Sequence, residues 1–583
     1  MKISTAADRA APWRNRQTRI ARGALLFSVL VQSVALAPAS VVHARVSQVS
    51  IVRSGAAQSR DRFAGGVQFQ KSGSQPGNSS LVREAATLLE AGKLEEAEAV
   101  ARRAVAGQPR NTAARSVLGA ILDQQGHAKE AEAEYREALR LDANSTVALT
   151  NLGVLLVRTG RMDEAVTSFE RVLRLQPGHA QATFNLGALY IARKDYVHAI
   201  PLLERAAGIS AGSAKQSGGT NEVALILTLA SAYAHAGRGK DAVQLFDQVE
   251  RGAGDDPRVL FTLGLNVADA GDYDRAARLF ARTNELRPDT YEVLYNLGIA
   301  LYNLDRLDEA RGALQRAATL RPEQAEVFYR LGLVASAKSE SENAIGLMQR
   351  ALKLRPVYPE ATFMIAEELV KNGRIDRALP FYEQAVAQAP TEPIYPIRLG
   401  IAHFRSRAYG KADETFRSAL ARFPDSPVLH YLLGYTARAE GLYDEAVKAF
   451  KRSLELQPNN AAALANLGFI AAERGQDAEA ESLLRRAIAL EPENYPAQYD
   501  LGRLLVRLRR YHEALPILER GASLGNEDPG VHYQLFITYS RLKRKDDADR
   551  ELTKFKTLEE ARKQREGGMS EKDELPPPRV PGQ

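Results

Sequence analysis

The sequence predicts an all-α fold, an α-solenoid of about fourteen helix–turn–helix units, and three observations predict it. Alanine recurs every 34 residues from Ala97 to Ala199 and, after one step of 43, from Ala242 to Ala548, fourteen times in all. Twelve positions before it stands glycine or alanine in every unit but the last, where Phe536 takes the place. Twelve positions after it stands proline at 109, 177, 288, 322, 356, 390, 424, 458 and 492. A fixed stride of this length marks an array whose units bury their apolar faces only against neighbours.

Residues 1–44 read as a secretory signal peptide. A basic head (Arg9, Arg14, Arg16, Arg19, Arg22) precedes the 14-residue apolar run Ala24–Ala37, and Val42-His43-Ala44 offers small residues for cleavage. The run is shorter than the roughly 20 residues that cross a bilayer as a helix. An uncleaved anchor is the alternative. Residues 45–77, rich in Ser, Gly, Gln and Arg, read as a flexible linker.

Repeats 1–4 occupy 78–207 and repeats 5–14 occupy 223–562, with a Ser/Gly-rich insert at 208–222 between them. Within a unit, the small residue of the first helix (Gly153, Gly298) and the alanine of the second (Ala165, Ala310) let the helix axes approach closely. A large residue four places after the alanine, such as Phe169, Phe280, Phe416 or Phe450, fills the same face one turn on. Glycine between the helices (Gly126, Gly160, Gly271, Gly373, Gly441, Gly475) ends the first helix in a left-handed turn. Asp163, Asp274, Asp308, Asp376 and Asp444 then meet the positive end of the second helix. Proline stops nine of the units, having no N–H to continue a helix. Pro529–Arg562 is the end unit, its second helix charged to face water. Residues 563–583 read as a disordered, Pro-rich tail.

Composition narrows the function. The chain of 583 residues has no cysteine, which excludes thiolate metal sites, cysteine nucleophiles and disulfides. Its net charge of +7 comes from the N-terminal end: residues 1–44 contribute +5 and residues 45–77 a further +4, so the rest sums to −2. No nucleic-acid partner follows from that distribution. Gly208-Ile209-Ser210-Ala211-Gly212 has the spelling of a nucleophile elbow, but no strand run precedes it; a hydrolase using Ser210 is the remotest reading. Gly237-Arg238-Gly239-Lys240 lacks the leading glycine and the Ser/Thr of a phosphate loop, and His512-Glu513 lacks a second histidine. No cofactor, metal or small-molecule substrate is expected.

The Ala–Gly–Pro frame and its 34-residue period resemble the tetratricopeptide repeat. The resemblance covers about five-sixths of the chain. It implies a right-handed superhelix whose first helices line a concave groove where protein partners bind as extended segments. Positions 2, 5, 6, 9, 12 and 13 of each unit share that face by helical spacing. Position 5 supplies Phe184, Phe261, Tyr295, Tyr329, Phe363, Tyr431, Tyr499 and Tyr533, mostly for packing, with edges left for a partner. Glu292, Glu326, Glu360 and Glu367 fall on the middle units, and Arg398, Arg405, Arg438, Arg503, Arg507 and Arg541 on the later ones. An acidic segment should therefore prefer the later units, because arginine clamps carboxylates bidentately.

Arg330, beside Tyr329, joins the groove candidates. Two ligand codes known in the family are incomplete. The lysine–asparagine clamp for chaperone tails is missing. The asparagine ladder of glycosyltransferase-linked arrays is present at Asn151, Asn185, Asn296 and Asn466 but interrupted at Thr228, Thr262, Arg330, Met364, Arg398 and Leu432. The expectation is a non-enzymatic scaffold in the periplasm or at the surface of a bacterial envelope. A membrane-tethered assembly factor for polysaccharide secretion or pili is the alternative if Ala24–Ala37 is retained; only then would the protein meet a membrane.

Overall fold

The structure, a computed structural model, describes residues 78–208 and 220–568. The leader, the linker, Ser210 with most of its insert, and the end of the tail lie outside those residues. The described chain forms 28 helices and no strand. They run as fourteen antiparallel pairs, from Asn78–Glu90 with Leu94–Gly107 to Pro529–Arg541 with Lys545–Gly568. Two compact units divide at residue 322/323. Each is a solenoid of seven repeats, and the all-α solenoid class is as the sequence predicts. No described helix is long and apolar enough to cross a membrane.

The fourteen frame alanines are buried to 4% exposure or less, most of them completely. The small residue of the first helix faces the large residue of the second. A Cβ on Gly400 would sit 2.3 Å from the Phe416 ring, and one on Gly119 would sit 2.7 Å from the Tyr135 ring. Because Phe416 and Tyr135 are fully buried, neither ring can retreat. This contact is the physical cause of the alanine–glycine spacing.

The turn between the paired helices is uniform. All fourteen repeats place one residue there at positive φ, eight of them glycine and the others Lys194, Asp305, Ser339, Arg407, Arg509 and Lys543. The turn geometry is therefore imposed by the helix packing, even where a side chain must adopt the left-handed conformation. First helices open on side-chain caps that the 34-residue frame does not reveal by itself. Asn111, Ser145, Asp256, Ser426, Asn460, Asn494 and Asp528 each accept a backbone N–H of the first turn, and His179 does so through its ring.

Two features depart from the sequence reading. Pro201, Pro380 and Pro516 lie inside second helices rather than ending them. All three are exposed, so the carbonyl each leaves unbonded lies on the outward face, open to water. The last helix also continues to Gly568, past Arg562 where the frame closes.

Candidate functional site

Within each unit the first helices pack side by side, and polar side chains tie one to the next. Lys371 donates to the Ser336 carbonyl (3.3 Å), and Arg507 donates to the Ala472 carbonyl (2.9 Å). Arg503 bonds Glu473 (2.8 Å), and Arg158 pairs with Asp123. These residues belong to the face on which a partner was expected.

Much of the aromatic column of that face is consumed by packing. Phe363 (8% exposed) lies between Tyr382 and Tyr395, with ring centroids 5.8 and 4.9 Å away. Tyr431 (2%) packs on Phe450 at 5.7 Å. Both are core residues, out of a partner's reach, which corrects their placement among groove contacts. Phe261 rests on Phe280, Tyr295 stacks on Tyr291, Tyr329 meets Tyr358 and Tyr499 stacks on Tyr495, all four remaining partly exposed. Tyr533 stays open at 42% although its ring lies 5.2 Å from Phe555.

The asparagines divide in the same way. Asn296 and Asn466 donate back to their own helices at Glu292 O and Ala462 O, so those amide N–H groups are spent locally. Asn151 and Asn185 are partly exposed on the first helices of repeats 3 and 4.

The expected acidic and basic zones are largely self-paired. Glu292 meets Arg321 at 2.7 Å and Glu326 meets Arg355 at 3.1 Å. Arg398 lies 3.7 Å from Glu367, which accepts the Tyr382 hydroxyl at 2.5 Å. Arg405 is partly buried on the helix of Arg398, and both cations oppose the rise in the Tyr382 phenol's proton affinity that burial and Glu367 cause. Arg330 sits 5.6 Å from the ring of its neighbour Tyr329. Arg507 pairs with Asp477. The simple picture of a basic strip open to solvent is therefore replaced by a tied surface, in which Arg398 and Arg507 meet carboxylates of the preceding repeat and Glu292 and Glu326 meet arginines of their own repeats.

Arg438 is different. Its guanidinium donates to Asn466 Oδ1 and lies 5.4 Å from the Tyr435 ring and 4.5 Å from the Phe469 ring. Its hydrogen-bond partner is a neutral amide. Arg503 approaches the same Phe469 at 5.5 Å. Two arginines from repeats 11 and 13 thus converge on one phenylalanine of repeat 12, both within cation–π range. Beneath them Asp500 is buried, 3.6 Å from Arg503. Burial pushes its carboxyl up to about 6, aided by Glu473 and Asp528 and opposed by Arg503 and Arg438.

Sequence reasoning finds Arg438 and Arg503 but passes over Phe469 and Asp500, which occupy positions 9 and 6 of the same frame. An acid in position 6, where its neighbours are apolar or amide, was the available signal. Among the described residues no group of three His, Asp or Glu is placed to hold a metal.

The hairpins with this packing and this face define a repeat solenoid. Comparison with known proteins puts a family to part of it. Residues 150–214, 397–461 and 431–497 match one tetratricopeptide-repeat model, and residues 88–152 and 478–535 match a second. Over those stretches the chain is similar to tetratricopeptide repeats. Residues 206–426 match the model of the cilia and flagella-associated protein 70 C-terminal domain. No curated protein matches the sequence.

Solved structures similar to this chain include the anaphase-promoting-complex hetero-tetramer Cut9–Hcn1 (15% identity, 79% of this chain and 96% of that one, TM-score 0.34). Yeast Tom70 (16%, 75% and 96%, 0.34) and the Naa15/Naa10 complex bound to HypK-THB (16%, 85% and 98%, 0.32) are others. The family models that match describe helical repeats, whose general role is to bind protein partners.

Proposed function

We propose that the protein is a non-enzymatic scaffold that holds extended segments of partner proteins against its first-helix face, and that it works in a bacterial cell envelope after export. The carrying observation is the convergence of Arg438 and Arg503 on Phe469. This is a partly exposed aromatic and cationic patch, in which Arg438 has no carboxylate partner and Arg503 also bonds Glu473. Such a patch suits a carboxylate-bearing segment, because the planar guanidinium is already oriented and loses little freedom on binding. Export rests on the basic head and the apolar run Ala24–Ala37.

Crosslinking and pull-down from the native envelope, comparing wild type with Arg438→Glu/Arg503→Glu and with Tyr329→Ala/Arg330→Glu, tests the scaffold. Loss of a partner with the first pair supports the proposed patch, and identical captures from all three proteins reject it. N-terminal sequencing of the mature chain tests export: a start near Arg45 is expected, and a retained Ala24–Ala37 makes the protein membrane-tethered instead.

A further inference from the structure

The patch at repeats 11–13 contains an anion of its own. Asp500 is 8% exposed and has one ion pair, to Arg503, with no hydrogen bond among the described residues. Ionising a carboxylate this far from bulk water is costly, and this one lies in the face where a partner's carboxylate would dock. Arg438, by contrast, has a neutral partner in Asn466 and lies against Phe469 and Tyr435.

We propose that Asp500 is a built-in competitor for the carboxylate of an acidic partner segment: it shares Arg503 with Glu473 while the face is empty and takes up a proton when the partner's carboxylate docks on Arg438 and Arg503. This deepens the reading of the patch given above and rests on it. The step is one proton moving from solvent to the Asp500 carboxylate, with no other bond made or broken.

The surroundings of Asp500 set the direction of the coupling. Its own helix presents Tyr495, Tyr499 and Arg503; Arg438 faces it from repeat 11, Glu473 from repeat 12 and Asp528 from the turn into repeat 14. Asp528 is itself held by the Tyr495 hydroxyl (2.6 Å) and the Gly530 N–H (2.7 Å), which fixes its charge near the site. With Asp500 ionised, Arg438 and Arg503 face three carboxylates, Asp500, Glu473 and Asp528, an excess of one negative charge; with Asp500 neutral the cluster is balanced. A docking carboxylate raises the proton affinity of Asp500 further through like-charge repulsion. Acidic segments should therefore bind more tightly as pH falls through the range in which Asp500 titrates.

The test uses the full-length protein and a fluorescein-labelled ten-residue glutamate peptide, with a ten-residue lysine peptide as control. Binding is read by fluorescence anisotropy at constant ionic strength, and circular dichroism verifies that each variant is folded. Wild type should bind the glutamate peptide about fivefold more tightly at pH 5.5 than at pH 7.5. Asp500→Asn should bind at pH 7.5 as wild type does at pH 5.5, with a flat profile between. Arg438→Gln should weaken binding at both values. Binding by wild type without pH dependence, or an unchanged profile in Asp500→Asn, overturns the competitor and leaves the acidic-segment reading standing. No binding of the glutamate peptide at either pH overturns both.

Discussion

The two seven-repeat units use their buried polar groups differently. In residues 78–322 most buried hydroxyls are satisfied within their own helices: Ser116, Thr150, Ser168, Thr183 and Thr283 each donate to the carbonyl four residues back, and only Ser231 among them reaches the next repeat, at Asp269 (3.1 Å). In residues 323–568 several reach across elements. Ser453 Oγ donates to the Pro427 carbonyl and accepts from Asn460, which also caps the next first helix. Glu368 takes the Ser336 hydroxyl from the preceding repeat, and His532 meets Glu551. The turns differ as well. Two of seven left-handed turn residues are not glycine in the first unit, against four of seven in the second. Both units carry buried polar contacts between repeats, Arg275 with Asp247 and Glu250 in the first and Glu368 with Ser336 in the second; the second adds buried polar contacts between the paired helices, more strained turns and the arginine–phenylalanine patch.

The comparison can be broken or sharpened by substitution. Gly400→Ala should cost toward 3 kcal/mol by urea denaturation, because the new methyl meets a fully buried Phe416. Gly332→Ala should cost less, since Met348 opposite it is flexible. Asp500→Asn should stabilise the chain by about 2 kcal/mol at pH 8 and by little at pH 4. The folded carboxyl keeps its proton to about pH 6, while the unfolded one releases it at roughly 4. Stability contributed by the proton is thus present at low pH and lost as pH rises between those values. Denaturant midpoints across pH check it.

Smaller effects come from single caps and turns. Asn460→Ala should cost about 1 kcal/mol by removing a cap and the amide that donates to Ser453, whereas Thr150→Val should be nearly neutral. Equal losses at the two sites would erase the contrast between the units. Arg407→Gly should stabilise by about 1 kcal/mol, since glycine accepts its φ of 56° without strain; a raised Tm is the readout. The smallest change is expected for Arg452→Ala. Its pairs with Asp425 and Glu455 are exposed, and their loss should cost about 0.5 kcal/mol or less, vanishing at high salt.

The repeat frame is written plainly in the sequence because one steric requirement, Gly400 against Phe416 and its equivalents, recurs at a fixed stride. The left-handed turn was legible where glycine marks it and hidden at Arg407 or Lys543, where packing overrides residue preference. Of the site, the frame placed Arg438 and Arg503 on the right face. It could not tell which arginines would find carboxylates, since Arg507 pairs with Asp477 one repeat back while Arg438 meets an amide. Partner choice among side chains 28 to 35 residues apart depends on how adjacent helices sit, and linear spacing does not encode that.

The same outward ion pair closes four different seams: Arg282 with Asp255, Arg316 with Asp289, Arg452 with Asp425 and Arg520 with Glu493, each 27 residues apart. Interchangeable seams make the molecule modular in the genetic sense. A coding segment copied or dropped in whole multiples of one hairpin rejoins chemistry that already fits, so the array can lengthen or shorten without inventing a new junction.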